Sequence, residues 1–350
     1  MIPTAVLGGG AWGTGMAVHL ARRSPGTHPS PSDPGVGVMF WARDAQQRAE
    51  MRLSGENRKY LPGVRLEPGI RIADTLDEAL VGARLVMLAV PLAALRGILE
   101  QIAGQGADQP PQVLVWLCKG LESGTALLPH QIVAQCCPGV AGVALSGPSF
   151  AQELAAGLPL ALVAASQSPG NIDLVRGAVH HFPCRVYASD DLPGVELGGA
   201  LKNVMAIAAG VSDGLGMGNN ARAALLTRGL AEIARLGGAI GARQATFMGL
   251  SGLGDLLLSA TGDLSRNRQV GLRLARGESL EVILGALGHV AEGVPTAATA
   301  VHLAQRHGID MPITQAVHDL LSGASTPQQA LRALLAREWR SEREVSDPWA

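Results

Sequence analysis

The chain begins with the stretch IPTAVLGGGAWGTGMAVHLA, residues 2–21. Residues 2–7 form a short apolar run that predicts a strand, and the residues after the glycines predict an apolar helix. Between the two lies the pattern G-x-G-x-x-G, made by Gly8, Gly10 and Gly13. Glycines here allow a tight turn, the approach of the backbone to a pyrophosphate and close helix packing, while helix N-terminal amides are donors to the anion. This order of strand, turn and helix predicts a dinucleotide site; an ordinary glycine-rich turn is the alternative.

Strand-like segments alternate with helical ones through the rest of the first half. Further strands are predicted at 36–41, 70–73, 84–90, 112–117, 143–146, 160–165 and 185–188. This alternation predicts an α/β fold, a mostly parallel and doubly wound sheet of the Rossmann type with helices on both faces.

The second half is predicted to be all-α. From Leu192 onward we find no convincing strand pattern, and helices are predicted at 196–216, 220–237, 244–260, 265–275, 280–287, 296–307, 313–321 and 327–337. We therefore expect a dinucleotide-binding domain over residues 1–189, a helical substrate and catalytic domain over residues 190–340, and a frayed tail over residues 341–350. The helix at 196–216 would stand between the two domains.

Composition narrows the class of protein. With 350 residues, 47% of them hydrophobic and only 3% aromatic, the chain can form two domains whose cores consist of Ala, Val and Leu. A net charge of −1 gives no reason to expect nucleic acid or an anionic membrane as a partner. We find neither an apolar run of membrane-spanning length nor a signal peptide, so we expect a cytoplasmic protein. The four cysteines form no C-x-x-C pair, which favours reduced thiols and no metal site.

Lys202 is the single charged residue of the apolar run 197–212, which has helical periodicity. A buried ammonium is costly without a partner and loses its proton more easily than in water, which suits proton transfer. Gly198 and Gly199 precede it by one helical turn and would let a ligand approach the amine. The alternative is that these glycines permit tight packing and that the lysine reaches the surface.

Two more charged residues stand in positions that favour a ligand site. Lys119 follows the predicted strand 112–117, at the edge where open α/β sheets bind ligands. Asp255 follows a glycine-rich segment in apolar surroundings, so it could bind a substrate hydroxyl or orient Lys202. A surface lysine in a turn and a structural acid held by backbone amides are the alternatives.

Ser265 is predicted to cap a helix, which places Arg266 and Asn267 in its first turn. An arginine there opposes the helix dipole unless a bound phosphate reverses the preference. A solvated arginine is the alternative. Glu292 enters the helix predicted at 296–307, where it could contact cofactor hydroxyls or simply favour the helix start.

The end of the second predicted strand indicates the cofactor. An acid at this position suits the ribose of NAD, whereas an arginine suits the 2′-phosphate of NADP. Arg43 therefore favours NADP, and Asp44 keeps NAD open.

Further along, Ser149 with Gln152 three residues later matches a capping box.

Six motifs in fixed order resemble those of one enzyme family. The chain is similar along nearly its full length to bacterial NAD(P)-dependent glycerol-3-phosphate dehydrogenases. The motifs are GGGAWGTGMA from Gly8, LCKGLE around Lys119, LSGPSFAQELA around Ser149, VELGGALKNVMAIAAGV around Lys202, GLSGLGDLLLSATGDLSRNRQVG from Gly249 and VAEGVPTA around Glu292. Several motifs in the right order are far more specific than the glycine pattern alone.

The resemblance implies roles for individual residues. Lys202 would be the proton donor and acceptor, and Lys119 and Asp255 would be further catalytic residues. The residues that would bind the substrate are Lys119, Gly147, Ser149, Lys202, Asp255, Ser265, Arg266 and Asn267. The residues that would form the cofactor site are Gly8, Gly10, Ala11, Trp12, Gly13, Arg43, Lys119, Ala151, Arg266, Val290 and Glu292. Asn203 and Thr261 are further candidates.

The resemblance also implies an activity. It is the reversible transfer of a hydride between NAD(P)H and C2 of dihydroxyacetone phosphate, which gives sn-glycerol 3-phosphate for phospholipid synthesis. NADP is slightly favoured over NAD, and the apolar faces of the helical half are compatible with a homodimer. The alternatives are another dehydrogenase with a Rossmann domain, a helical domain and a catalytic lysine that acts on a hydroxy acid, and an NADP sensor without catalysis.

Two features depart from the family pattern. The segment from Ser24 to Gly35 is longer than this turn usually is, and Ala11 stands where a serine is common, which removes one hydroxyl. Neither departure touches the residues to which the resemblance assigns the chemistry.

Overall fold

The structure is a computed structural model that describes residues 2–22, 37–104, 111–288 and 290–337. The predicted loop at 24–35, His289 and the charged tail from Glu338 lie outside the described residues. The chain divides into two compact units. The first comprises the residues up to Cys118 and His130–Leu192, and the second comprises Lys119–Pro129 and the residues from Pro193 onward.

The first unit contains an eight-stranded sheet in the order β3-β2-β1-β4-β5-β6-β7-β8. The strands are β1 (Thr4–Leu7), β2 (Val38–Trp41), β3 (Ile70–Ile72), β4 (Leu85–Leu88), β5 (Val113–Trp116), β6 (Ala141–Ser146), β7 (Leu160–Ala165) and β8 (Cys184–Ser189). All neighbouring strands are parallel except β6 and β7, which are antiparallel. The mostly parallel sheet predicted from the sequence is confirmed.

Helices connect these strands, and they include α1 (Ala11–Ala21), α2 (Ala45–Ser54), α3 (Leu76–Leu80), α4 (Leu95–Gly104), α5 (Pro129–Cys136), α6 (Ala151–Ala155) and α7 (Pro169–Val179). Every residue of β1, β4 and β5 is buried. Central parallel strands are covered on both faces, which is why they are apolar without alternation. The core of this unit therefore lies on both faces of the central strands β1, β4 and β5.

The second unit is helical in its described part. Its helices are α8 (Leu192–Gly214, of which Leu192 belongs to the first unit), α9 (Gly218–Ala239), α10 (Gln244–Phe247), α11 (Asp255–Thr261), α12 (Arg266–Ala275), α13 (Leu280–Leu287), α14 (Gly293–Arg306), α15 (Pro312–Leu321) and α16 (Pro327–Leu335). The core is formed around α8, which is buried from Val195 to Val211. None of the helices in the described ranges has the length and hydropathy that crossing a membrane requires.

Two details differ from the prediction. The segment 119–129 was predicted to belong to the first domain, but Leu121, Ala126 and Leu128 pack in the core of the second unit. The helix predicted at 244–260 is broken into α10, a π-helical turn at Leu250–Gly254, and α11. The close approach behind this turn requires glycine, since a Cβ at Gly252 would lie 2.1 Å from the carbonyl oxygen of Phe247.

Candidate active site

Asp255 lies between two lysines in the second unit. Lys202 Nζ donates to Asp255 Oδ1 and Lys119 Nζ donates to Asp255 Oδ2, each at 2.5 Å. The side chain of Asp255 is completely buried, while those of Lys202 and Lys119 are 10% and 18% exposed. One carboxylate thus holds two ammonium groups, and the three residues that the resemblance assigned to catalysis are brought together.

The environment of Lys202 makes its amine titratable near neutral pH. Burial lowers the pKa of Lys202 from 10.5 to about 8, because the charged form loses its hydration. The negative charge of Asp255 opposes this shift, and the positive charge of Lys119 adds to it. A lysine whose pKa lies close to the working pH can give a proton in one direction and take it back in the other.

Ser259 completes the surroundings of the amine, and sequence reasoning missed it. Its buried hydroxyl accepts a hydrogen bond from Lys202 Nζ at 2.8 Å. It follows Asp255 by one turn of α11, so both side chains lie on the same face of this helix. That spacing was the available signal, but a serine on an apolar helix is too common to single out.

The helix α8 explains how the lysine is held inside the unit. A Cβ at Gly198 would lie 2.7 Å from the carbonyl oxygen of Ser251, in the π-helical turn before α11. Gly198 therefore allows two backbones to pack closely, as the alternative interpretation of this glycine proposed. Lys202 does not extend to the surface, since it ends on two buried groups of α11.

The start of α12 has the predicted form. Ser265 Oγ accepts from the amide of Arg268 at 3.3 Å and caps the helix, so Arg266 and Asn267 occupy its first turn. Arg266 is exposed, whereas Asn267 is buried. The surrounding protein removes water from the Arg266 guanidinium and lowers its pKa, and the negative charge of Glu292 offsets part of this shift. A helix N-terminus beside an exposed guanidinium is suited to a phosphate.

The glycine turn of the first unit has room for a phosphate. Gly8 has a φ of +125°, and a Cβ there would lie 2.4 Å from the carbonyl oxygen of Ala89. Gly10 is the N-cap of α1, no side chain caps this helix, and a Cβ at Gly10 would meet no atom within 4 Å. The first turn of α1 is therefore left without a side-chain cap and with open space beside Gly10, as a dinucleotide's pyrophosphate requires.

Two buried amides that sequence reasoning did not identify hold this turn in place. Gln47 Nε2 donates to the carbonyl oxygen of Gly9 at 2.6 Å, and Asn57 Nδ2 donates to the same oxygen at 2.9 Å. Asn57 Nδ2 also donates to the hydroxyl of Thr14 in α1 at 2.7 Å. These contacts fix the carbonyl of Gly9, so the amides after it keep their direction.

The end of β2 separates the two residues that bear on the choice of cofactor. Arg43 is exposed at the carboxyl end of the strand. Asp44 caps α2, since its Oδ1 accepts from the amides of Gln46 and Gln47 at 2.9 and 3.3 Å. The aspartate thus has a structural role, while the arginine is presented to solvent.

The loop after β6 differs from the prediction in one respect. The N-cap of α6 is Phe150, and Ser149 Oγ donates to the carbonyl oxygen of Gly147 at 3.1 Å. The predicted capping box of Ser149 and Gln152 is therefore wrong, because the helix begins one residue later than this pattern requires. The hydroxyl instead fixes the turn at Gly147, which has a φ of +131°.

The remaining predicted site residues are distributed over both units. Ala11, Trp12 and Ala151 share a small apolar cluster in the first unit. Val290 is 47% exposed in the second unit, and Thr261 donates to its own helix at the carbonyl of Leu257. Within the described ranges, no cluster of three or more His, Cys, Asp or Glu side chains is arranged to hold a metal ion.

Comparison with known proteins covers both units. A model described as the N-terminus of NAD-dependent glycerol-3-phosphate dehydrogenase matches residues 3–171, and a model of the C-terminus of the same family matches residues 191–332. A glycerol-3-phosphate dehydrogenase [NAD(P)+] of Methylibium petroleiphilum is 52% identical over 98% of this chain and 99% of its own length. One of Leptothrix cholodnii is 51% identical over 96% and 98%.

A solved structure shows the same likeness. The crystal structure of glycerol-3-phosphate dehydrogenase from Coxiella burnetii has a TM-score of 0.89 and 38% sequence identity. The match covers 96% of this chain and 99% of that protein, so it includes both the sheet and the helical unit.

Proposed function

The chain belongs to the NAD-dependent glycerol-3-phosphate dehydrogenase family, and we propose that it interconverts dihydroxyacetone phosphate and sn-glycerol 3-phosphate with NAD(P)H as the hydride donor. The observation that carries the proposal is the buried carboxylate of Asp255 between Lys119 and Lys202. The product would serve phospholipid synthesis. When bound, the nicotinamide supplies the hydride that reaches C2 of the substrate.

Lys202 would supply the proton. As an ammonium it hydrogen-bonds the substrate carbonyl, and it transfers a proton to this oxygen as the alkoxide forms. In the reverse direction the neutral amine accepts the hydroxyl proton of glycerol 3-phosphate. A pKa of about 8 leaves both forms populated near neutral pH, which supports this role in both directions.

Asp255 and Lys119 would set the geometry and charge of this step. Asp255 fixes the amine of Lys202 through one oxygen and that of Lys119 through the other. Lys119 is the more exposed of the two lysines, so it is the one better placed to contact substrate and cofactor together. Its charge would stabilise the developing alkoxide and would hold the pKa of Lys202 down.

The start of α12 would bind the substrate phosphate. The first-turn amides of this helix, the guanidinium of Arg266 and the side chains of Ser265 and Asn267 form the proposed site. The family resemblance adds Gly147 and Ser149 to the proposed substrate-binding residues. Binding of the phosphate, remote from C2, would orient the reacting carbon.

The cofactor would bind with its pyrophosphate at the α1 N-terminus. Ala11, Trp12 and Ala151 line this region, and the family resemblance adds Val290 and Glu292 to the proposed cofactor-binding residues. Arg43 is free to meet a 2′-phosphate, whereas Asp44 is engaged as a helix cap. These two observations support a preference for NADP over NAD.

The proposal includes the cellular setting of the enzyme. None of the four cysteines, all of which lie in the described ranges, forms a disulfide, which suits the cytoplasm. The homodimer is part of the proposal, and the helical unit exposes several large apolar side chains, those of Met217, Met248, Leu257, Leu264 and Val282, that such a contact could cover. Light scattering with size-exclusion chromatography would measure the mass in solution, and a monomer at micromolar concentration would exclude the dimer.

A direct assay tests the activity. The purified chain is mixed with dihydroxyacetone phosphate, and the loss of reduced-nicotinamide absorbance is followed in parallel with NADPH and NADH. We expect oxidation with both cofactors and a higher kcat/KM with NADPH. No oxidation with either would overturn the proposal, and oxidation only with a 2-keto acid would favour a hydroxy-acid dehydrogenase.

A further inference from the structure

Two buried asparagines connect three helices of the second unit. Asn267 Nδ2 on α12 donates to Asn203 Oδ1 on α8 at 2.9 Å. Asn267 Oδ1 accepts from the amide of Gly293, the first residue of α14, at 3.0 Å. Asn203 Nδ2 in turn donates to the carbonyl oxygen of Gly199 at 3.5 Å. We name the set of Asn203, Asn267 and Gly293 the asparagine link.

The orientation of both side-chain amides follows from their neighbours. A backbone amide only donates, so the oxygen of Asn267 must face Gly293 and its nitrogen must face Asn203. The oxygen of Asn203 is then the acceptor, and its nitrogen faces the carbonyl of Gly199. The two side chains are 6% and 9% exposed, so water cannot replace these partners without opening the unit.

Each member of the link is the immediate neighbour of a residue proposed to act on the ligands. Asn203 follows Lys202, Asn267 follows Arg266, and Gly293 follows Glu292. We propose that the asparagine link is a positioning device, which holds the phosphate-binding turn of α12 in register with the helix of the proton donor and the segment of Glu292. The inference rests on the proposed function. In this inference Asn203 and Gly293 are positioning residues, and the side-chain oxygen of Asn267 is bound to the protein rather than to the substrate.

The turn that carries Arg266 depends on this link more than the amine of Lys202 does. Lys202 has independent anchors in Asp255 and Ser259. Arg266 is exposed, and its backbone is fixed by the helix cap at Ser265 and by the neighbouring Asn267. Loosening the link should therefore impair the phosphate contact first and the proton transfer second.

Gly293 gives the link its close fit. A Cβ at this position would lie 2.7 Å from the carbonyl oxygen of Asn203 and 2.8 Å from Asn267 Oδ1. Both contacts are shorter than carbon and oxygen tolerate, so Gly293→Ala must push the start of α14 away from the asparagines. Gly285 in α13 is a matched control, because a Cβ there meets nothing within 4 Å.

The test compares two substrates that differ in the phosphate. For wild type, Gly293→Ala and Gly285→Ala, kcat/KM is measured with dihydroxyacetone phosphate and with unphosphorylated dihydroxyacetone. We expect Gly293→Ala to lower kcat/KM about tenfold for the phosphorylated substrate, as for the loss of a buried hydrogen bond, and about threefold or less for the other. Gly285→Ala should leave both values unchanged. Binding of sn-glycerol 3-phosphate, measured by calorimetry without turnover, should weaken in parallel in Gly293→Ala.

A second variant keeps the test decisive if Gly293→Ala does not fold. Asn203→Ala removes the acceptor of Asn267 without adding a clash, and the same selective loss is expected. An equal loss for both substrates, or a lower melting temperature with an unchanged ratio, would assign the link a purely structural role and overturn the inference. Wild type that does not distinguish the two substrates would overturn the proposed phosphate site instead, so the two failures are distinguishable.

Discussion

Asp255 and Glu232 are two buried carboxylates of the helical unit that are held in different ways. Asp255 is 0% exposed and meets the ammonium groups of Lys119 and Lys202. Glu232 is 1% exposed and accepts from the amides of Ile313 and Thr314, at 2.7 and 3.1 Å, and from the hydroxyl of Thr314 at 3.1 Å. The first carboxylate is compensated by charge, and the second caps the start of α15.

The difference decides which site can move a proton. A backbone amide does not titrate, so the donors that hold Glu232 stabilise a helix end and have no proton to give to a ligand. An ammonium deprived of water has a lowered pKa, which for Lys202 is about 8, and it is the group that we propose to move the proton. A buried carboxylate can thus support proton transfer when its hydrogen-bond partners are themselves acids, as the lysine ammonium groups are.

Removal of Lys202, a titratable partner of Asp255, has the largest expected effect. We expect Lys202→Ala to reduce kcat by about 10² to 10⁴, the range for loss of a general acid. The protein should fold, because Lys119 still compensates Asp255. Rate assays should show slow turnover, and titration with the cofactor should show an unchanged affinity. The matched control is Lys59→Ala, which removes an exposed lysine; near-normal turnover in Lys202→Ala would refute the assignment.

For Glu232, the carboxylate held by backbone amides, we predict a contribution to folding stability that depends on pH. Burial raises the pKa of Glu232 from 4.5 to about 7, against the opposing effect of its three hydrogen-bond donors. The folded state therefore binds more protons than the unfolded state between these values. This contribution to stability is complete below pH 4.5 and is lost as the pH rises through 7, by about 3 kcal/mol in total.

Glu232→Gln isolates this contribution because it removes the titration and keeps the shape. The free energy of unfolding from urea titrations at pH 5, 6, 7 and 8 should fall more steeply in wild type than in the variant. Turnover below the unfolding range should be the same in both. Parallel pH profiles of stability would mean that Glu232 does not titrate in this range.

Sequence reasoning predicted the fold and singled out the two central residues of the candidate site for the same physical reason. Continuous apolar strands between glycine turns imply a sheet covered on both faces, and a charge inside an apolar helix must find a partner. Lys202 and Asp255 were recognisable because each stands alone among apolar residues. Their direct contact is a consequence of the close packing at Gly198, which a sequence does not display.

Contacts made by neutral polar groups were beyond the sequence. Serine and asparagine occur throughout a chain, so the hydroxyl of Ser259 and the amide of Asn57 had no distinguishing pattern, and Asn203 was a candidate only through the family resemblance. The capping box at Ser149 failed because a one-residue change in helix start moves the cap. Local patterns predict elements well, whereas the groups that fix a site are chosen by tertiary packing.

Removal of Asp255 and removal of Lys119 are expected to shift the pH profile of the reaction in opposite directions. Dihydroxyacetone phosphate reduction requires the ammonium of Lys202, so its rate should fall as the pH rises through about 8. Asp255→Asn removes the charge that stabilises the ammonium, so the falling limb of the pH–rate profile should move to lower pH. Lys119→Gln removes the charge that opposes it, and the limb should move to higher pH. Shifts of about one unit are expected, and shifts in the same direction would contradict the charge argument.

Ser259 should produce the smallest effect, since it contributes a dipole rather than a charge. Ser259→Ala removes the neutral acceptor of Lys202 and leaves Asp255 in place, so the limb should move toward lower pH by less than in Asp255→Asn. A loss of about threefold to tenfold in kcat is expected, the range for one hydrogen bond of ordinary strength, because Asp255 still holds the ammonium. Ser259→Thr keeps the hydroxyl and should retain the wild-type profile. If Ser259→Ala shifted the profile as far as Asp255→Asn, the hydroxyl and not the carboxylate would control the amine.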